Sequence, residues 1–278
     1  MNDAAEQLSS AVLYGIEMAR ERIGERKVAV LTGAGISTDS GIPDYRGAGR
    51  IERHPMTFDS FMGSLDAQRR YWARSYVGFS RISDALPNAG HFAISRAESQ
   101  GQIAGIVTQN VDGLHQASGS ANVIDLHGRL DRVICMSCRQ LISRIELDAQ
   151  IEELNPTVPK DQQIEFTPDG DAEIEAASDF RIPVCLGCGG TLKPDVVFFG
   201  ESVPIDRVES ANRIFESAPV LLVAGTSLAV NSGLRFVRAA AKAGREIIIV
   251  NLGETKADHL AIAKIEANTS LVLDRLLK

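Results

Sequence analysis

Short apolar runs alternate with amphipathic stretches along most of this chain. Each run holds four or five residues rich in Val, Ile and Leu, which is typical of strands buried on both faces of a parallel sheet. The runs are 27–31, 103–107, 123–126, 220–224 and 246–250. Helical spacing is present in the opening segment and in 231–243 and 255–267. The alternation predicts the α/β class, with a doubly wound, parallel, Rossmann-like sheet.

The cysteines fall into two Cys-x-x-Cys pairs, Cys135 with Cys138 and Cys185 with Cys188. Two such turns direct four thiolates at one point and complete the closed tetrahedral shell that structural zinc prefers. Two disulfides or two redox-active pairs are the alternatives, but nothing in the sequence indicates export, and a redox pair needs no second copy. The spacing therefore predicts one structural zinc ion that takes no part in chemistry.

The cysteine pairs also interrupt the alternation of strands and helices. We therefore expect a single unit over 1–278 in which a small zinc-binding domain, residues 131–189, is inserted into a larger nucleotide-binding domain, residues 25–130 and 190–278. Within the small domain, the stretch 155–183 is rich in Pro, Asp, Glu and Gln and predicts an extended loop. Loops of this length are usually functional or disordered.

Composition and charge narrow the setting in which this protein works. The chain is 44% hydrophobic and 23% charged, with a formal net charge of −7 and a pI near 5.3. Such an acidic protein binds phosphate backbones poorly, so we expect no nucleic-acid partner, whereas lysine-rich protein segments are tolerated. No apolar run approaches a bilayer span, and the first residues lack the basic start of a signal peptide. We therefore expect no membrane contact and a cytoplasmic location.

Three turns follow predicted strands at the edge where parallel sheets bind ligands. Gly33-Ala34-Gly35 lets the backbone approach a phosphate closely, and the amides of the next turn favour its negative charge. Thr38 replaces the third glycine of the usual dinucleotide fingerprint, so an ordinary dehydrogenase is a poor match. Gly225-Thr226-Ser227 and Asn251-Leu252-Gly253 are the other two turns. Each alone could be a helix cap or a tight turn, but together they favour a nucleotide.

Two further strand ends carry polar side chains that a buried core would not favour. Gln109, Asn110 and Asp112 lie within four positions after one strand, and burying such groups unpaired costs free energy. Their clustering predicts hydrogen bonds to a polar ligand such as a ribose or a carboxamide. His127 ends another strand, and its neutral imidazole could accept a proton from a sugar hydroxyl. The alternative is a histidine with a purely structural role.

Together these motifs resemble those of the sirtuin family of NAD-dependent protein deacylases, and several stretches are similar to its class II branch. The resemblance extends from Val28 to Leu273, and the motifs that carry it, besides the cysteine pairs, are 33–37, 41–46, 108–112, 127–128, 192–201 and 225–228. It implies a Rossmann-like NAD-binding domain beside a zinc-binding one. It also implies acylated-lysine proteins or peptides as substrates, and nicotinamide, O-acyl-ADP-ribose and free lysine as products.

The resemblance implies roles for individual residues as well. His127 is placed as the general base at the ribose, and Asn110 and Asp112 shape the nicotinamide pocket and are grouped with it as catalytic. The other residues assigned to NAD are Ile42 at the nicotinamide, Gln109 at its ribose, Gly33, Ala34 and Gly35 at the diphosphate, Asp44, Tyr45 and Arg46 in a closing loop, and Gly225, Thr226, Ser227, Asn251, Leu252, Gly253 and Thr269 at the adenosine half.

The segment 197–201 alternates like a strand whose free edge could pair with an extended peptide. Main-chain pairing of this kind gives affinity without demanding a peptide sequence. Val197, Phe199 and Gly200 are therefore the predicted substrate contacts, with the first two side chains walling a tunnel for the lysine stem. A plain core strand is the alternative.

Tyr71 and Arg74 are three positions apart on a predicted helix and could present a hydroxyl and a guanidinium to an acyl carboxylate. Their spacing resembles that of sirtuins that remove succinyl and glutaryl groups, whereas a solvated arginine on an amphipathic helix is the alternative. We therefore expect lipoyl or glutaryl-type groups to be removed faster than acetyl. The loop 155–183 is a second candidate for acyl selection.

Three functions are compatible with these residues. The leading one is a lysine deacylase that consumes NAD. A protein mono-ADP-ribosyltransferase would pass the same activated ribose to a protein nucleophile. A non-enzymatic, zinc-stabilised sensor of NAD and acyl-lysine would have no use for His127 as a base.

Overall fold

The computed structural model describes residues 8–44, 56–158 and 179–277. Its strands are β1 Val28–Thr32, β2 Ile103–Thr108, β3 Val123–Asp125, β4 Gly128–Cys135, β5 Leu141–Ser143, β6 Leu192–Val196, β7 Val220–Ala224, β8 Glu246–Val250 and β9 Ala263–Ile265. Six of them form a parallel sheet in the order β3-β2-β1-β7-β8-β9. The direction of winding reverses between β1 and β7, which opens a crevice at the carboxyl ends of the central strands.

Helices cover both faces of this sheet. The helices of the described residues are α1 Ser10–Ile23, α2 Phe58–Gly63, α3 Leu65–Ser83, α4 Ala89–Ser99, α5 Leu114–Ala117, α6 Arg144–Leu154, α7 Ile205–Glu216, α8 Asn231–Lys242 and α9 Thr269–Leu276. Val28 and Val30 of β1 belong to the core beneath α1, α4 and α9, whereas Ala29 and Leu31 belong to the core beneath α7 and α8. Because successive strand residues point to opposite faces, the predicted doubly wound architecture is confirmed.

A smaller antiparallel sheet, ordered β5-β4-β6, stands beside the large one. Its core contains Val133, Leu147 and Leu192 and is shared with α3, whose Trp72 donates its indole N–H to the carbonyl of Leu192 at 3.3 Å. Helix α6 starts with a capping box, in which Ser143 and Glu146 satisfy each other's backbone amides. The cysteines lie at the ends of these strands, as expected for an inserted module.

Two sequence predictions of secondary structure are wrong. The segment 255–267 is not a helix: it contains a single 3₁₀ turn, Asp258–Leu260, and then β9, which pairs with β8. Strand β6 ends at Val196, and 197–201 forms a turn rather than a further length of strand. Within the described residues, no helix is long and apolar enough to cross a bilayer. Most of the predicted loop 155–183 lies outside those residues.

Candidate active site

Two glycine turns meet back to back at the carboxyl ends of β1 and β7. The Gly35 amide donates to the Gly225 carbonyl at 2.8 Å. A Cβ added to Gly33 would lie 2.6 Å from the Cβ of Thr226, and one added to Gly225 would lie 2.3 Å from the Ile36 nitrogen. Gly225 also has φ +65°, a left-handed conformation that side chains disfavour. Glycine at these positions is therefore a condition for the two turns to touch.

The third predicted turn joins the other two. Asn251 is buried, and its amide nitrogen donates to the Leu252 carbonyl at 2.7 Å and to the Gly253 carbonyl at 3.2 Å. The Gly225 amide donates to the carbonyl of Val250, just before this turn, at 2.9 Å. The remaining residues predicted for the adenosine half also lie here: Thr226 and Ser227 follow Gly225, and Thr269 is 3.5 Å from the Gly35 carbonyl through its hydroxyl.

Ser37, Asn110 and Asp112 form a compact polar cluster beside the first turn. The Ser37 hydroxyl donates to the Asp112 carboxylate at 2.7 Å and accepts from the Asn110 amide at 3.0 Å. Asp112 also accepts from the Leu114 backbone amide at 3.0 Å. The predicted Asn110 and Asp112 are thus brought together, with Ile42 buried nearby in the core around α3. Ser37 was not among the predicted site residues. Its place in the motif 33–37, with a hydroxyl directly after the glycine turn, is the sequence signal that could have identified it.

Gln109 links the strand end of β2 to the second glycine turn. Its side-chain amide donates to the Thr226 hydroxyl at 3.0 Å and to the Thr32 carbonyl at 3.2 Å. Its backbone carbonyl is 2.9 Å from Nδ1 of His127. One residue therefore connects the glycine turns to the predicted base.

The two nitrogens of His127 can be assigned from their partners. Nδ1 faces the Gln109 carbonyl, which only accepts, so Nδ1 carries the proton and Nε2 carries the lone pair. Nε2 is 2.8 Å from the hydroxyl of Ser232 on α8. Burial, reinforced by the charges of Arg207 and Arg235 and opposed by the Gln109 hydrogen bond, lowers the pKa of His127 to about 4. At neutral pH the imidazole is therefore an uncharged proton acceptor.

The predicted substrate segment adjoins this histidine. The Val197 amide donates to the His127 carbonyl at 2.8 Å, and the Phe199 carbonyl accepts from the Phe58 amide at 2.9 Å. The side chain of Phe199 is 44% exposed, whereas that of Phe198 is buried. Gly200 takes φ +81° in the turn. Buried Lys193 and the Phe198 amide both bind the Glu201 carboxylate, at 3.0 and 2.9 Å, and hold the turn closed.

Tyr71 and Arg74 both lie on α3, as predicted. The Tyr71 ring is buried and makes edge contacts with Trp72 and with Phe198 of the substrate segment, the latter with centroids 5.2 Å apart. Arg74 is half-buried. Of the predicted closing loop, Asp44 is described, whereas Tyr45 and Arg46 lie outside the described residues.

The four cysteines converge as the sequence predicts. Their sulfur atoms all lie within 4.8 Å of one another, with Cys135 3.5 Å from Cys188 and Cys138 3.8 Å from Cys185. Disulfide bonds would need about 2 Å. Tetrahedral zinc with bonds of about 2.3 Å places sulfurs about 3.8 Å apart. The donor set and spacing fit a structural zinc ion, which would fasten the end of β4 to the segment before β6.

Comparisons with known proteins show which family this chain resembles. A model of the Sir2 family matches residues 33–232. The NAD-dependent protein deacetylase 1 of Streptomyces coelicolor is 52% identical over 242 residues, covering 86% of this chain and 81% of that protein. The Mycobacterium avium protein of the same name is 49% identical over 252 residues, covering 89% of each.

Solved structures are similar over nearly the whole chain. A structure from work on the mechanism and regulation of Sir2 enzymes has a TM-score of 0.75 and 30% identity, covering 95% of this chain and 96% of that one. A complex of Sir2 with a p53 peptide and NAD+ has a TM-score of 0.73 and 27% identity, covering 97% of both chains.

Proposed function

This chain belongs to the Sir2 family, and we propose that it is an NAD-dependent protein-lysine deacylase that transfers the acyl group to ADP-ribose and releases nicotinamide. The observation that carries the proposal is the orientation of His127. Its Nδ1 faces the Gln109 carbonyl, which leaves Nε2 as the acceptor, and Gln109 also binds Thr226 of the second glycine turn. A protein that only bound its ligands would have no use for a buried neutral base at this place.

The crevice has the features that a dinucleotide requires. At Gly33 and Gly225 there is no room for a Cβ, so the two turns pack closely at the carboxyl ends of β1 and β7, the edge at which open parallel sheets bind dinucleotides. The Ser37–Asn110–Asp112 cluster offers donors and acceptors that suit the carboxamide of nicotinamide. NAD, when bound, supplies a ribose carbon that is activated for attack.

The residues of the chain then contribute positioning and proton transfer. Gln109 fixes the imidazole of His127 through Nδ1, so Nε2 can take a proton from a ribose hydroxyl. With its pKa lowered to about 4 by burial, the imidazole stays neutral throughout the physiological range, and Nε2 keeps the lone pair that accepts a proton. The turn 197–201, stabilised by Lys193 and Glu201, offers its backbone to the acylated peptide. We also propose that the four cysteines bind one structural zinc ion, which takes no part in the reaction.

Mass spectrometry of a mixed acyl-lysine peptide library, incubated with and without NAD, tests this function. We expect NAD-dependent loss of acyl mass from the peptides and formation of nicotinamide. The variant His127→Ala should be at least a hundredfold slower, in line with the usual contribution of a general base, while Ser99→Ala on α4 serves as a control. A gain of ADP-ribose mass on the acceptor would favour the ADP-ribosyltransferase, and equal, negligible nicotinamide release by wild type and His127→Ala would favour the sensor.

We further propose that lipoyl or glutaryl-type groups are removed faster than acetyl. The contact of Tyr71 with Phe198 supports this, because it joins α3, which also carries Arg74, to the substrate turn. Arg74→Met should lower kcat/KM for glutaryl-lysine by about tenfold, as expected for loss of a charged hydrogen bond, and leave acetyl-lysine within twofold. Exposed Arg70 on the same helix provides the matched control, Arg70→Met. Acetyl turnover equal to or faster than glutaryl and lipoyl turnover by wild type would contradict the preference.

A further inference from the structure

Among the described residues, Ser232 is the side chain that contacts the lone pair of His127. It is the second residue of α8, and its hydroxyl is 2.8 Å from Nε2. Nδ1 carries the proton of this neutral imidazole, so the Ser232 hydroxyl must be the donor. The proposed base thus has both ring nitrogens engaged, one by the Gln109 carbonyl and the other by Ser232.

The start of α8 is built so that this hydroxyl reaches the histidine. Residues near a helix N-terminus often use a hydroxyl to cap the first backbone amides, yet α8 has Val230 as its N-cap and no side-chain cap. The next residue, Gly233, packs directly on Gln109, since an added Cβ would lie 2.6 Å from its Oε1. The glycine lets α8 approach the end of β2, and this approach brings Ser232 to Nε2.

We infer that Ser232 is a positioning residue for the proposed general base. Its hydroxyl occupies the place at Nε2 that a ribose hydroxyl takes in the reaction, and it holds the ring in that orientation until NAD binds. The ribose hydroxyl then replaces the Ser232 hydroxyl at Nε2. This replacement costs little free energy, because one O–H···N hydrogen bond is exchanged for another. This role rests on the deacylase function proposed above.

The charges around His127 act separately from this hydrogen bond. The Ser232 hydroxyl donates to the neutral Nε2 and can rotate to accept from a protonated one, so it orients the ring in either protonation state. Arg207 on α7 and Arg235 on α8 disfavour the charged form of His127. Asp195 on β6 compensates part of this effect through its ion pair with Arg207 at 2.7 Å. Replacing Ser232 leaves these charges in place and removes only the hydrogen bond.

The test combines a titration with kinetics for Ser232→Ala and for Ser232→Thr, which keeps the hydroxyl. Nitrogen-15 NMR of the imidazole, without NAD or peptide, reports the tautomer and the pKa of His127 independently of turnover. In Ser232→Ala we expect the Nε2 resonance to move toward that of an unbonded nitrogen. We also expect kcat to fall about tenfold with KM for NAD and peptide within twofold. Ser232→Thr should stay within threefold of wild type.

An Nε2 resonance unchanged in Ser232→Ala would overturn the inference, because the hydrogen bond would then be absent in solution. An unchanged kcat in Ser232→Ala despite a shifted Nε2 resonance would overturn the positioning role. Equal loss of kcat in Ser232→Thr, with its Nε2 resonance still at the wild-type position, would assign the effect to packing and overturn the role as well. If wild type turns over no acyl peptide, the proposed function fails, and the titration alone then supports or overturns the contact.

Discussion

His91 and His115 form a buried pair behind the polar cluster of the site. Their rings are 4.9 Å apart, with Nε2 of His115 2.9 Å from the Thr32 hydroxyl. Burial lowers the pKa of His91 to about 4, partly opposed by the charge of Asp112, and lowers that of His115 well below its usual value. Thr32 ends β1 next to the first glycine turn, so the contact of His115 with its hydroxyl stabilises this strand end.

Stability should consequently fall as the pH drops from about 6.5 toward about 4. In that range the unfolded chain protonates these histidines and the folded chain does not, so unfolding takes up protons and is favoured by acid. Each histidine contributes up to about 1.4 kcal/mol per pH unit. Urea unfolding at several pH values gives the free energy of unfolding as a function of pH. This pH dependence should be shallower in His115→Gln than in wild type, whereas His259→Gln, at an exposed position, should keep the wild-type dependence. The same pH dependence of the free energy of unfolding in wild type and His115→Gln would show that His115 does not contribute to the acid sensitivity.

At the residue level, sequence reasoning succeeds where the motif itself states the chemistry. The cysteine spacing predicted the convergence of the sulfurs, which the structure shows, whereas the hydrogen bonds from Asn110 and Asp112 to a polar ligand stay a prediction. Ser232 could not be found in this way, since a serine one position inside a helix has the same sequence signature whether it faces solvent or an imidazole. The side-chain burial of Tyr71 was equally hidden, because it depends on contacts with the rings of Phe61 and Phe198 from two other segments, besides that of the adjacent Trp72.

Among the elements, the paired glycine turns are sensitive to substitution. Gly225 combines φ +65° with direct contact between turns, so a side chain there meets both backbone strain and a steric clash. Gly244 has φ +70° but open space around an added Cβ. The two positions therefore separate the cost of conformation from the cost of contact.

Gly225→Ala should lower the free energy of unfolding by about 3 kcal/mol or more, from left-handed strain plus overpacking. It should also weaken NAD binding at least tenfold, because the first turn is displaced. Gly244→Ala should cost only about 1 kcal/mol and leave NAD binding unchanged. Urea denaturation and calorimetric titration with NAD measure these effects. Equal destabilisation by the two variants would show that contact between the turns contributes nothing.

Element type was predictable wherever a segment is buried on both faces. Strands β1, β2, β7 and β8 match the apolar runs, because parallel strands covered by helices need unbroken apolar sequence. The helix predicted over 255–267 is wrong because the apolar residues of this segment fit a helical period and a strand equally well. Pairing of β9 with β8 decides in favour of the strand. The spacing of apolar residues does not show that β8 has an edge available for this pairing.

On the scale of the whole molecule, the site lies where the two sheets join. β4 begins at Gly128, directly after His127, and a Cβ added to Gly128 would lie 1.8 Å from the Asp195 carbonyl of β6. β6 then leads into the turn 197–201. The strands that the cysteine cluster fastens at one end therefore carry the proposed base and the substrate turn at the other.

Removal of the proposed zinc ion should therefore abolish the proposed deacylase activity without unfolding the large sheet. Structural zinc contributes about 10 kcal/mol or more in small domains, so the small sheet should lose its order when the ion is removed. Hydrogen exchange after chelation should show lost protection in β4, β5 and β6 and retained protection in β7 and β8, whose core is formed with α7 and α8. Cys188→Ser should reproduce the pattern, and added zinc should reverse it in wild type only. Uniform loss of protection in both sheets would instead mean that the molecule unfolds as one cooperative unit, with the metal stabilising both sheets and not only the smaller one.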